Sequence, residues 1–233
     1  MNWKTPLTAL GSKLLKLHPR VISYGDFAFH PHRPTELCKI MTLYGSDKGA
    51  WHNYTTLYHR IFSPFRDRPL RLFELGLGSN HTDTSSNMGE SGSPGASLRG
   101  WREYFPQAAV FGADIDARIL FTEDRIKTFQ CDQTNPQSIH NLWTNPELEE
   151  DFDVIIEDGL HEFSANQCFF DHSIHKLRPK GYFVIEDLDP DAAGKYTHQV
   201  EVWRQKHPRL KIDLFKIPSL IDVSNWLLLA HRS

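Results

Sequence analysis

Cysteine is scarce: the 233 residues hold only Cys38, Cys131 and Cys168, widely separated and without a CxxC pair. An odd number at such spacing argues against a disulfide framework or a zinc cluster and fits a reducing cytoplasm. Long apolar runs are missing too. No stretch of about 18 apolar residues exists to span a bilayer, and the first residues lack the apolar core of a secretion signal. Positive charge is not in excess, since 26 Lys and Arg stand against 29 Asp and Glu for a net charge of −3. That balance weighs against a nucleic-acid partner gripped through its phosphates.

What is present suits one α/β domain. A 39% hydrophobic content is enough for a buried core, and the pattern divides into a helical N-terminal extension and cover, residues 1–65, and a main domain, residues 66–233. Lys4, Lys13, Lys16 and Arg20 interleave with Leu7, Leu10, Leu14, Leu15 and Leu17, which predicts a basic amphipathic helix over residues 2–22. Such a helix docks on the domain, on a second copy of the chain to form a homo-oligomer, or on a membrane surface. Helices are expected at Thr35–Thr42 and Tyr54–Phe62. Strand and helix then alternate, with strands expected at Leu70–Leu75, Ala109–Ile115, Arg125–Gln130, Phe152–Ile156, Gly181–Ile185, Leu210–Ile217 and Asn225–Ala230. This predicts a seven-stranded, mostly parallel sheet with a C-terminal antiparallel hairpin and helices on both faces, a Rossmann-like arrangement. Residues 79–95, rich in Ser, Gly, Asn and Thr, form an unusually long loop of the kind that serves as a lid or binding loop or is disordered.

The first chemical signal is Glu74-Leu75-Gly76-Leu77-Gly78 at the end of the first main strand. Glycines there let the backbone turn sharply and approach a ligand, although a purely structural turn has the same form. Asp114 ends the next strand, where a carboxylate can accept both hydroxyls of a ribose. A nicotinamide enzyme would run its glycines straight into a helix that holds a pyrophosphate. Here they run into the polar loop, which S-adenosylmethionine, having no phosphate, tolerates. Asp132 or Gln133 follows the third strand, where an adenine would lie; capping of the next helix accounts for Asp132 equally well.

The second signal is acidic. Ile156-Glu157-Asp158-Gly159-Leu160-His161 and Ile185-Glu186-Asp187 end two strands expected to be neighbours, and open α/β sheets bind ligands at that edge. Asp158, Glu186 and Asp187 would repel one another unless a cation neutralised them. A hard divalent ion, magnesium first, meets that need. His161 would face the same pocket, and an imidazole, with an ordinary pKa of about 6.5, suits proton removal near neutrality.

Taken together, Tyr44-Gly45-Ser46-Asp47-Lys48-Gly49, His52–Tyr58, Glu74-Leu75-Gly76, Gly95–Trp101, Tyr104-Phe105-Pro106, Asp132-Gln133, Glu157–His161 and Gly181–Asp187 resemble the metal-dependent O-methyltransferases of antibiotic pathways, class I S-adenosylmethionine enzymes that include the mycinamicin-type macrolide sugar and cephamycin-pathway methyltransferases. The resemblance covers roughly residues 40–190. It implies magnesium ligands at Asp158, Glu186 and Asp187, a general base at His161, and cofactor contacts from the turn of Glu74, Gly76 and Gly78, from Ser97, Asp114, Asp132 and Gln133, and from Tyr54. Two positions depart from it: residues 79–95 interrupt the glycine loop, and Leu160 stands where relatives often carry a small polar residue. The acceptor expected is a sugar or another hydroxylated small molecule, with Tyr24, Phe27, Phe29 and Trp51 available to stack on a ring. A metal-independent enzyme of the same fold and a silent S-adenosylmethionine-binding protein are the alternatives.

Overall fold

The computed structural model describes residues 21–23, 34–217 and 225–233. Its first helices are α1 (Glu36–Tyr44), α2 (Asp47–Ala50) and α3 (Tyr54–Phe62). The Thr35 hydroxyl accepts the Cys38 N–H at 3.1 Å to start α1, and left-handed Gly45, at φ 84°, ends it. Ser46 caps α2 in the same way, so the chain reverses direction within a few residues.

Nine strands among the described residues form one sheet: β1 (Val21–Ser23), β2 (Leu70–Leu75), β3 (Ala108–Asp114), β4 (Thr122–Glu123), β5 (Ile126–Gln130), β6 (Phe152–Glu157), β7 (Leu177–Ile185), β8 (Leu210–Ile217) and β9 (Asn225–Arg232). Their order is β1-β8-β9-β7-β6-β2-β3-β5-β4. Strands β7, β6, β2, β3 and β5 run parallel, and β8 and β9 form the antiparallel pair. Seven strands were too few for two local reasons. β4 holds two residues, too short to show alternation, and folds back on β5. β1 lies in the span expected to be helical. Its β-branched Val21 and Ile22 pair in parallel with β8 instead, which corrects the helix at its C-terminal end; residues 2–20 lie outside the described residues, as do Tyr24, Phe27 and Phe29.

The remaining helices are α4 (Ala96–Tyr104), α5 (Pro136–Trp143), α6 (Phe163–Ser173) and α7 (Ala193–Lys206). One core, built on Phe73, Phe111, Trp143, Phe152, Phe169 and Trp203, lies between the sheet and α5, α6 and α7. On the other face Met41, Tyr54, Tyr58, Phe62 and Trp101 from α1, α3 and α4 cover Leu72, Val110, Ile156 and Val184. Both faces are therefore covered, as a parallel sheet requires. Among the described residues no helix is long and apolar enough to cross a membrane.

From β2 the chain moves outward through β3 to β5, then returns to β6 on the other side of β2. The strand order reverses between β2 and β6, and ligands of open α/β sheets bind outside the carboxyl ends at such a reversal.

Candidate active site

At that reversal Gly76 leaves β2 with φ 88°, and a Cβ built on it would lie 1.9 Å from the Asp158 carbonyl oxygen. Only glycine lets the end of β6 come so close. The Asp158 N–H donates to Leu75 O at 2.8 Å and the Glu186 N–H to Glu157 O at 2.9 Å, so the pairing continues past the strands and sets the acidic loops side by side. Gly76→Ala is expected to destabilise the fold by about 1–3 kcal/mol from backbone strain alone, with a further loss from the clash. Chemical denaturation checks this; wild-type stability in the variant would contradict the geometry.

A cleft of about 1450 Å³ opens above these strand ends. Of the residues expected to meet the cofactor, Gly76, Gly78, Ser97, Asp114, Asp132 and Gln133 line it, together with Asp158, His161 and Asp187. Asp114 accepts the Leu77 N–H at 2.7 Å and the Asp116 N–H at 2.9 Å, which ties the glycine turn to the end of β3 and leaves lone pairs for other donors. Gln133 is already committed: its amide donates to Glu157 Oε1 at 2.9 Å and accepts the Leu160 N–H at 2.8 Å. It holds the loop carrying Asp158 and His161. Asp132 accepts from the N–H and hydroxyl of Thr134, while Asn135 caps α5, so Asp132 shapes the turn and does not cap the helix. Within residues 79–95, Asp83 and Thr84 meet Arg118, and Thr84 and Ser79 donate to Asp116.

Glu74 and Tyr54 do not line the cleft. Glu74, fully buried, accepts from Ser97 Oγ and Trp101 Nε1. Tyr54 donates to Asp187 Oδ1 at 2.6 Å. Asp158, His161 and Asp187 each offer a ligand atom, all within 4.8 Å of one another. His161 Nδ1 is buried without a hydrogen-bond partner. His161 and Asp187 have φ of 61° and 48°, in the left-handed region where histidine and aspartate are found more often than most residues. The two carboxylates fit a hard divalent cation, with the His161 imidazole beside them.

Glu186 is placed differently from its neighbour. Its carboxylate is buried, accepting from Lys48 Nζ at 2.6 Å and from the Tyr58 hydroxyl. Lys48 also pairs with Asp158 and lies 3.5 Å from Glu74. Burial works against its charge, but Asp158, Glu186 and Glu74 outweigh that and hold the ammonium pKa well above the ordinary lysine value. The sequence reading gave Lys48 no role. Its signal was its place in Tyr44–Gly49, one of the segments that carry the family resemblance.

His52 was also missed. Its Nδ1 lies 3.3 Å from Asp187 Oδ1 and 2.9 Å from Asn225 Oδ1. Burial lowers its pKa, yet Asp187, Asn225 and Asp47 together raise it to about 9. A histidine raised in this way stabilises the fold fully below its unfolded pKa of about 6.5, and the contribution is lost as pH rises through the folded value. An NMR titration should find the His52 midpoint near 9, moving toward 6.5 in Asp187→Asn. A midpoint near the ordinary value in the wild type would remove the His52–Asp187 pair from the account.

The order of strands, the glycine turn and the cleft at the reversal are those of the Rossmann-like class I methyltransferases. Among solved structures, the chain is similar to the MycE methyltransferase of the mycinamycin biosynthetic pathway in complex with Mg and SAH, at 24% identity and TM-score 0.63 over 86% of this chain and 56% of that one. A second MycE structure, with Mg, SAH and mycinamycin VI, gives TM-score 0.64 at 23% identity over 86% of this chain and 54% of that one.

Sequence relatives narrow the likeness to sugar O-methyltransferases of antibiotic pathways. The 8-demethyl-8-(2-methoxy-alpha-L-rhamnosyl)-tetracenomycin-C 3'-O-methyltransferase of Streptomyces olivaceus is 35% identical over 82% of this chain and 45% of its own length. The mycinamicin VI 2''-O-methyltransferase of Micromonospora griseorubida is 30% identical over 67% of this chain and 37% of its own. The chain thus spans less than half the length of these curated relatives. No family model matches it.

Proposed function

We propose that the chain is an S-adenosylmethionine-dependent O-methyltransferase domain acting on a sugar hydroxyl of a glycosylated natural product, with a magnesium ion and a histidine base. The observation that carries this reading is the meeting of Asp158, His161 and Asp187 at the edge of the cleft that the glycine turn opens. The names of the relatives supply the acceptor class. The cleft, at about 1450 Å³, exceeds the roughly 300–1,000 Å³ of ordinary small-molecule pockets, so an acceptor fits beside the cofactor. The sparse thiols fit action in the cytoplasm.

The cofactor would lie along Gly76, Gly78, Ser97 and Asp114, with Asp114 accepting from the ribose and the Asp132 turn near the base. Asp158 and Asp187 would hold the cation, with Glu186 behind them. A divalent cation supplies Lewis acidity at that point, lowering the pKa of an acceptor hydroxyl. His161 takes the hydroxyl proton on its imidazole as the acceptor oxygen attacks the methyl carbon in line with the departing sulfur. Gln133 and Glu157 keep the His161 loop in place, and the main contribution of the fold is alignment of oxygen, carbon and sulfur.

A metal-independent reading is favoured by one observation, the Lys48 ammonium already lodged between Asp158 and Glu186. Labelled methyl transfer from S-adenosylmethionine to a panel of rhamnosylated aromatic polyketides and macrolide glycosides tests the proposed activity. Label in the sugar is the expected result. Cofactor binding by calorimetry with no label in any acceptor would point to a silent binding protein.

A further inference from the structure

We infer that Lys48 is the resident counter-cation of the acid cluster: it holds Asp158 and Glu186 when no divalent ion is bound and competes with that ion for them. The competition rests on the metal-assisted reading above; the counter-charge role does not. Four acids, Glu74, Asp158, Glu186 and Asp187, reach this point from the ends of β2, β6 and β7, and among the described residues α2 alone brings an ammonium among the first three. Lys48 is 2% exposed, Glu186 1% and Glu74 0%. Carboxylates so buried need a partner, and removing one partner of such a pair leaves an uncompensated charge.

The other polar neighbours of the cluster are Tyr58, Ser97, Trp101, His52 and, beside Asp158 and Asp187, His161. Tyr58, Ser97 and Trp101 contribute hydrogen bonds without charge, and the His52 ring faces Asp47 at 3.8 Å as well as Asp187. Four acids stand against one ammonium, so Lys48 alone does not match them in formal charge. Lys48 bonds to Asp158 Oδ2 and Glu186 Oε2, two of the three carboxylates that the sequence assigns to the metal. Its presence therefore makes the cluster tolerable when empty and less attractive to cations.

The test uses the full chain and two readouts. Thermal unfolding in chelator compares Lys48→Met, Glu186→Gln and the double variant. Lys48→Met should lower Tm by roughly 10 °C, and the double variant should recover more than half of that loss. A Tm unchanged in Lys48→Met, or a double variant that falls by the sum of the single losses, overturns the counter-charge role. If Lys48→Met does not fold but the double variant does, the role is supported.

Mn2+ binding, followed by electron paramagnetic resonance, tests the competition. Lys48→Met should bind at least tenfold more tightly than wild type, or the double variant tenfold more tightly than Glu186→Gln where the single variant fails to fold. Equal or weaker binding overturns it. Wild type that takes up no Mn2+ sinks the metal-assisted reading and the competition with it, while the unfolding comparison still decides the counter-charge.

Discussion

Asp158→Ala is expected to lower methyl transfer by at least about 10³-fold, because it removes the one carboxylate that faces both the His161–Asp187 pocket and the Lys48 ammonium. Loss of the several kcal/mol that a bound cation contributes to charge stabilisation corresponds to about that factor, at 1.36 kcal/mol per tenfold. Cofactor binding should change little, since the turn at Gly76 and Gly78 and the carboxylate of Asp114 lie on other strand ends. Asp158→Asn separates charge from shape: it retains the outline of the side chain and should be nearly as inactive. Initial rates together with S-adenosylhomocysteine calorimetry check both. A modest loss of rate in the alanine variant would favour the metal-independent reading.

His161→Gln is expected to lower kcat by about 10²–10⁴-fold, the range for loss of a general base, with KM for the acceptor nearly unchanged. The imidazole makes no hydrogen bond through its buried Nδ1, so none is lost there with the ring. Glutamine is less at ease than histidine in the left-handed backbone at this position, φ 61°, so the fold of the variant is checked alongside its rate. Single-turnover kinetics isolates the chemical step from product release. A rate within threefold of wild type would show that the proton leaves by another route, whatever the role of the cation.

Much of this architecture was legible in the sequence because hydrophobic runs and their punctuation are local. β2 falls at Leu70–Leu75 as expected, and β8 at Leu210–Ile217. The α7 start was harder to see. The helix begins at Ala193, where a turn capped by Asp189 and opened by Pro190 leads into it. β4 has too few residues to carry a period, and β1 is decided by the open edge of β8, a partner nearly 200 residues away.

The site divides along the same line. Asp158 and Asp187 follow the ends of β6 and β7, and His161 lies three residues beyond Asp158, so their approach could be read from the sequence. Glu186, one residue from Asp187, points into the buried pairing with Lys48, a consequence of strand alternation and of an ammonium arriving from α2. Gln133 shows the same limit. Its position at the cleft follows from the strand order, but its amide is engaged by Glu157 and Leu160, contacts set by the close approach of two loops.

The measurement that bears most directly on metal-assisted O-methylation is methyl transfer by chelator-stripped protein, with and without added magnesium, at saturating S-adenosylmethionine and glycosylated acceptor. The account predicts that activity disappears in chelator and returns with magnesium. Full turnover in chelator would contradict it and leave the Asp158–His161–Asp187 cluster without its cation.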